Sequence, residues 1–352
     1  MSTATPQAPA RDTQAPIAPE TAWRTVVRKL TTNPSTLPTL AALVIFIGML
    51  LYGEFSYGRI FQYSTISNLF INNAHIIIIA AGMTAVIITG GIDLSVGAIV
   101  ALSSVAGVLL ANSGLNPWLA VLVMVLIGSV FGLFSGVLIQ YFNVQPFIAT
   151  LSAMFLARGL AAILSTDAEK LDPESPIRLL GAKLKLIDGP KVNDLEVTAG
   201  VIIAVLVVAA VFFLLHRTRL GRTAYAIGGS EQSAILMGLP VNRTKLWLYT
   251  ISGTLSGLAS VVYTSRIGVG QNIIGDGWEM QAIAATVIGG TLLTGGAGFV
   301  LGAVVGSLVL GLMNVLITKD GAVPPEWTTI IIGGILLVFV LLQRGVMAIR
   351  RR

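Results

Sequence analysis

The sequence predicts an all-α fold: a polytopic membrane helix bundle of about ten transmembrane helices. Three observations carry that expectation. Of 352 residues, 55% are apolar and 11% are charged, where a soluble protein carries roughly a quarter charged residues. Mean hydropathy is +0.86. The apolar residues also fall into runs near the roughly 20 residues that cross a bilayer, without the strict alternation of barrel strands. A soluble α/β enzyme of this length is excluded. The chain has no cysteine, which removes disulfides, thiolate nucleophiles and thiolate metal sites. Its net charge of +6 fits basic cytoplasmic loops and does not call for nucleic acid as a partner.

Along the chain, residues 1–35 read as a disordered cytoplasmic tail, rich in Ala, Pro, Thr and Gln and too polar to bury a core. Arg24, Arg28 and Lys29 flank the first apolar run. The apolar segments lie at about 36–53, 66–89, 93–112, 117–141, 145–165, 197–215, 246–266, 280–293, 295–317 and 326–343. The eighth is short, and Gly289 and Gly290 interrupt it. Residues 36–346 form the permeation domain in this reading, and 347–352 a basic cytoplasmic tail. Alternating the segments from a cytoplasmic N-terminus places Arg217, Arg219, Arg222, Arg243 and Lys245 inside, together with the closing cluster Arg350, Arg351 and Arg352. Both termini inside needs an even number of crossings, so the positive-inside rule favours ten over nine. Residues 166–196 form a long outer loop, and 216–245 a long inner one. No independent soluble domain remains, so any soluble function must come from another chain.

Glycine spacing describes packing. Gly128, Gly132 and Gly136 recur every fourth residue, as do Gly298, Gly302 and Gly306, and Gly253 pairs with Gly257. That spacing puts them on one helix face, where backbones approach closely. Gly90-Gly91, Gly97 and Gly107 also match Gly289-Gly290, Gly296 and Gly306 at an offset of 199.

Candidate chemistry is sparse. There is no Walker A run, no zinc-protease motif and no nucleophile elbow. The two histidines, His75 and His216, are far apart, and no metal cluster or cofactor is expected. Polar groups inside the spans are mostly neutral amides and hydroxyls, which suits a neutral hydroxylated solute; helix-to-helix glue is the plainer reading of the Ser and Thr groups. Asn72, Asn73 and His75 are pathway candidates near the start of the second segment. Arg158 is the one basic residue deep in a span; it needs protein, carbonyls or water around it, as a pathway group or as an anchor. Asp93 is the nearest thing to a buried carboxylate, at a helix start where an acid suits the dipole. An ion-coupled secondary carrier normally needs carboxylates at membrane depth, so that alternative is weaker.

The inner loop GRTAYAIGGSEQSAILMGLPVNRTK (221–245) is the most specific feature. Gly228-Gly229 read as a turn. Ser230 is a suitable N-cap, with Glu231 in the first turn of a short helix. Ala234, Ile235 and Met237 give it a small, apolar surface, and Gly238 and Pro240 end it. A short helix presented by a bundle with no soluble domain suggests docking to a partner.

At this point the sequence resembles the permease subunits of bacterial ABC importers for monosaccharides, the ribose, xylose and arabinose permease family. AAGMTAVIITGGIDLSVGAIVALSSVAG (80–107), FIATLSAMFLARG (147–159), RTRLGRTAYAIGGSEQSAILMGLPV (217–241) and AIAATVIGGTLLTGGAGFVLGAVVGSLVLGLMNVLI (282–317) carry the likeness. The resemblance implies a ten-helix subunit working with a second permease copy or a paralogue. It implies an ATP-binding subunit docked on the cytoplasmic side, a periplasmic sugar-binding protein, and a multi-pass place in the inner membrane lipid. ATP would be used by the partner subunit. The coupling helix maps to about Ser230–Gly238, with Glu231, Ala234, Met237 and Gly238 in it, and Arg158 falls in the family's Arg-Gly pair. The sugar implied is galactofuranose, or otherwise ribose or a similar monosaccharide.

Overall fold

The computed structural model describes residues 36–187, 194–321 and 327–350. The expected tail at 1–35 and the last two residues of the expected basic end lie outside the described residues. Twelve α-helices are described: α1 (Thr36–Tyr57), α2 (Tyr63–Ile88), α3 (Val96–Asn112), α4 (Pro117–Tyr141), α5 (Pro146–Leu164), α6 (Ala199–Arg217), α7 (Arg219–Gly229), α8 (Glu231–Leu236), α9 (Val241–Ile267), α10 (Trp278–Ile288), α11 (Val300–Asp320) and α12 (Trp327–Arg350). Each of the ten apolar segments carries one of them. Eight are long and apolar enough to cross a membrane. The other two, α3 and α10, are shorter, because backbone breaks take part of their segments. α12 runs on to Arg350, past the end expected at 343.

α2 is the centre of the bundle. Its sequence, IIIIAAGMTAVII, is apolar on every face, and such a helix is stable only when protein surrounds it. α6, α9, α10 and α11 pack around it. α1 and α12 lie at the rim and leave Leu51, Phe55, Ile330 and Leu341 exposed, as helices facing an apolar solvent do.

The glycine rows pack helices closely, except that Gly298 lies outside α11, in the break before it, and faces Thr291 and Ile88. Gly128, Gly132 and Gly136 of α4 lie against the backbone of α9, where Gly253 and Gly257 receive them. Gly302 lies against Gly289, and Gly306 against Ala285, which joins α11 to α10. The internal similarity is visible as two helix breaks. α2 ends at Ile88 and α10 at Ile288; each is followed by a left-handed glycine, Gly90 at φ 79° and Gly290 at φ 97°. Their conformations match at an offset of 200, one residue from the glycine match.

The described parts of the loop at 166–196, residues 166–187 and 194–196, carry more regular structure than their polar composition suggests. β1 (Glu169–Lys170) pairs antiparallel with β4 (Val269–Gly270), and β2 (Lys183–Ile187) with β3 (Leu195–Thr198). A 3-10 turn at Pro176–Gly181 sits between them. Leu171 N donates to Gly268 O at 2.9 Å, and the Asn112 amide donates to Lys170 O at 2.8 Å. These contacts tie the loop to the ends of α3 and α9.

Candidate functional site: the helical arm and the seam beneath it

α7 and α8 form an arm at one end of the bundle. Thr218 turns the chain out of α6: its Oγ1 donates to Leu214 O at 2.6 Å and accepts from Gly221 N at 3.3 Å. Gly221 lies against the Leu215 carbonyl, where a side chain would overlap it. The segment before Ser230 is therefore helix, correcting the turn expected at Gly228-Gly229. Neither glycine has a left-handed φ. Gly228 is small for another reason: its Cα faces Ile88 O and Gly296 at a distance that leaves no room for Cβ.

Ser230 caps α8, accepting from Ser233 N at 3.3 Å. Glu231 is ion-paired to Lys245 of α9 at 2.5 Å. Gly238 closes the turn with φ 71°. Ala234 points inward and is fully buried with Ile227 and Val241, so it seats the helix and does not form its outer surface. The outer surface belongs to Ile235, Leu236 and Met237, exposed by 57%, 88% and 66%. Leu236 is the residue the sequence reading missed. Ala234 and Leu236 are two positions apart, about 200° around a helix, so an inward Ala234 sends Leu236 out. A groove of about 400 Å³ lies beside this tip, lined by Ile235, Leu239, Pro240, Val241, Asn242 and Arg243.

Beneath the arm the two helix breaks meet in a seam. Gly296 N donates to Ile88 O at 2.9 Å, and Gly295 lies against Gly90 and Gly228. Tyr225 Oη donates to Gly298 O at 2.8 Å. Burial pushes the Tyr225 hydroxyl above its ordinary pKa. The buried Gln343 amide donates to Val287 O at 3.0 Å and Thr291 O at 3.2 Å. Backbone without helical partners inside an apolar bundle needs such donors and acceptors from its neighbours. On the other side of the seam Asp93 is fully buried. Its Oδ1 accepts from Ser95 N at 3.0 Å and Ser95 Oγ at 2.6 Å, and its Oδ2 from Ser252 Oγ at 2.8 Å.

The pathway candidates separate into three places. Asn72 and Asn73 line a cleft of about 330 Å³ between α2 and α11, with Gly311, Asn314, Thr318 and Lys319. Asn73 Nδ2 also donates to Leu69 O at 2.7 Å. His75 is buried on another face of α2, with ring centroids 4.3 Å from Trp278 and 5.1 Å from Tyr263. Arg158 reaches neither: its Nη1 donates to Asn272 O at 2.6 Å and Ile274 O at 2.7 Å, and Asp276 stands 3.9 Å away. These carbonyls and the carboxylate are the surroundings that a cation in a span requires. Among the described residues no group of acids and histidines could hold a metal ion.

The comparisons agree with this architecture. The family model described as the branched-chain amino acid transport system permease component matches residues 65–340. A fructose import permease protein of Bifidobacterium longum is 55% identical over 314 residues, covering 89% of this chain and 92% of its own length. A ribose import permease protein of Bacillus subtilis is 41% identical over 269 residues, covering 76% and 80%. A D-allose transport system permease protein of Escherichia coli is 32% identical over 306 residues, covering 86% and 90%. No solved structure matches the chain. A helical bundle with an exposed apolar arm, matched over most of its length by sugar permeases, belongs to the ribose-type monosaccharide permease family of ABC importers; it is a multi-pass transporter subunit that works with an ATP-binding subunit and a substrate-binding protein.

Proposed function

We propose that the chain carries a free monosaccharide of the fructose or ribose kind inward across the bacterial inner membrane, with both termini and the arm on the cytoplasmic side. The 55%-identical fructose permease and the ribose permease support this sugar class. Galactofuranose, the sugar implied by the sequence motifs, is set aside in its favour. In this reading the ATP-binding subunit docks on Ile235, Leu236 and Met237. Ser230, Glu231, Ala234 and Gly238 shape and seat the helix that presents them. ATP is consumed by the partner, and this chain needs no cofactor of its own. A second permease copy or a paralogue faces it, and the amide-lined cleft at Asn72 and Asn73 supplies neutral hydrogen-bonding groups to the passage. Polar side chains open to the outside of a membrane bundle call for protein or water opposite them.

The single observation that carries the reading is the exposed apolar tip of α8 on an otherwise membrane-embedded chain. Its test is reconstitution of the permease with its ATP-binding subunit and binding protein in liposomes. Uptake of labelled D-fructose or D-ribose is expected to require ATP. Glu231→Arg, which sets a cation beside Lys245, is expected to lower uptake about tenfold, the scale of a 1.4 kcal/mol defect. The charge-swapped pair Glu231→Lys with Lys245→Glu is expected to restore part of it. Uptake that ignores both ATP and Glu231→Arg would show that the arm is not a coupling element.

A further inference from the structure

Lys245, Tyr249, Ser252 and Ser256 recur along α9 at spacings of four, three and four residues, which places them on one helix face. All four are buried. At the arm end of this face Lys245 holds Glu231 of α8. One turn further, the Tyr249 ring lies against Gly91, where a side chain would overlap its hydroxyl. Within the next turn Ser252 Oγ donates to Asp93 Oδ2 at 2.8 Å. One face of one helix therefore touches the docking arm and the break between α2 and α3.

Asp93 is placed for more than capping α3. Ser95 N and Ser95 Oγ satisfy Oδ1, and they alone would make the local turn that opens the helix. Oδ2 reaches across to a different helix. A fully buried carboxylate in an apolar bundle is retained only where its partners are well placed. Beyond Ser95, α3 begins, and Gly97 packs against the Gly275 backbone in the loop that Arg158 holds. Contacts thus run from the arm through α9 and Asp93 to the start of α3 and on to that loop.

We propose that Asp93 is a positioning residue for energy coupling: through Ser252 it fastens the α2–α3 break to α9, so that displacement of the docked arm carries the break and the start of α3 with it. The proposal rests on the importer reading above. Cutting the tie therefore uncouples ATP use from sugar movement without disturbing the docking surface.

The test uses the complete importer in proteoliposomes, with phosphate release and labelled D-fructose or D-ribose uptake measured together at equal amounts of folded permease. Asp93→Ala removes both carboxylate oxygens, whereas asparagine would keep a hydrogen bond to the Ser252 hydroxyl; it is expected to leave ATP hydrolysis within about twofold of the unmodified complex and to lower uptake per ATP about tenfold, within the range by which single residues modulate coupling between sites. Ser252→Ala leaves Asp93 its Ser95 contacts and is expected to show the same phenotype more weakly. The double variant is expected to fall no further than Asp93→Ala alone, because both changes cut one tie. Unchanged uptake per ATP in both single variants overturns the proposal. So does a double variant whose loss is the product of the single losses, and so does a loss that follows only the amount of folded protein. Failure of the importer reading itself has a different signature: uptake by the unmodified complex that needs no ATP.

Discussion

Arg158 sits where a guanidinium is costly, in an apolar helix, and the loop at 271–277 explains why it stays. Two backbone carbonyls of that loop accept from one nitrogen, and the side chain remains 23% exposed. Hydrogen bonds from a charged donor contribute about 1.5–3 kcal/mol each when buried, and less where water reaches them. Arg158→Ala is therefore expected to destabilise the permease by about 2 kcal/mol, read as a lowered thermal midpoint in detergent. The KM for sugar at equal folded protein is expected to stay unchanged. A raised KM with an unchanged midpoint would return Arg158 to the pathway. The need for partners around Arg158 was legible in the sequence. Their identity was not, because the partners are backbone carbonyls more than 100 residues away, and carbonyls leave no trace in residue type. Asp93 shows the same limit: its acid at a helix start was readable, whereas its bond to Ser252 depends on how two helices cross.

At the level of elements, glycine does two different jobs, and only one is conformational. Gly90 and Gly290 adopt left-handed backbone at the breaks. Gly128 and Gly132 are ordinary helical residues that let α4 lie on the backbone of α9. Gly159 of α5 faces open space. Alanine at Gly128 is expected to push the two helices apart and destabilise the bundle by about 1–3 kcal/mol, as overpacking does. Alanine at Gly159 is expected to stabilise by about 0.5–1 kcal/mol, because it only restricts the unfolded chain. Thermal midpoints of the two variants, measured side by side, check this. A midpoint for Gly128→Ala equal to that for Gly159→Ala would mean that the close crossing is absent. The same distinction explains the misread arm. Gly-Gly before Ser230 looks like a turn, yet Gly228 is helical and small because Ile88 and Gly296 lie against it. Hydrophobic runs reveal that helices exist; a close approach between distant backbones does not show in a run. The starts of α3 and α11 were missed for that reason. Their first apolar residues belong to the breaks, which the seam supports from outside the run.

For the whole molecule, the decisive property is which end carries the arm. Thr218, Gly228 and the two breaks gather at one end, whereas the β1–β4 pair and its neighbours Asn112 and Gly268 mark the far ends of α3 and α9. The basic residues Arg217, Arg219, Arg222 and Arg243 cluster at the arm end, so the positive-inside rule supports the proposed cytoplasmic placement of that end. The proposed docking of an ATP-binding subunit on α8 requires that orientation. The chain has no cysteine of its own, so single introduced cysteines report position without background. Leu236→Cys on α8 and Leu179→Cys in the opposite loop replace residues exposed by 88% and 70%. A membrane-impermeant thiol reagent added to spheroplasts is expected to modify Leu179→Cys and spare Leu236→Cys. In inverted vesicles carrying the permease alone, Leu236→Cys is expected to react. Adding the ATP-binding subunit should then protect it, because the most exposed apolar side chain of the arm is the one a docking partner must cover. The opposite labelling pattern would place the arm outside the cell, where no nucleotide-driven partner could engage it, and coupling through α9 would have nothing to transmit.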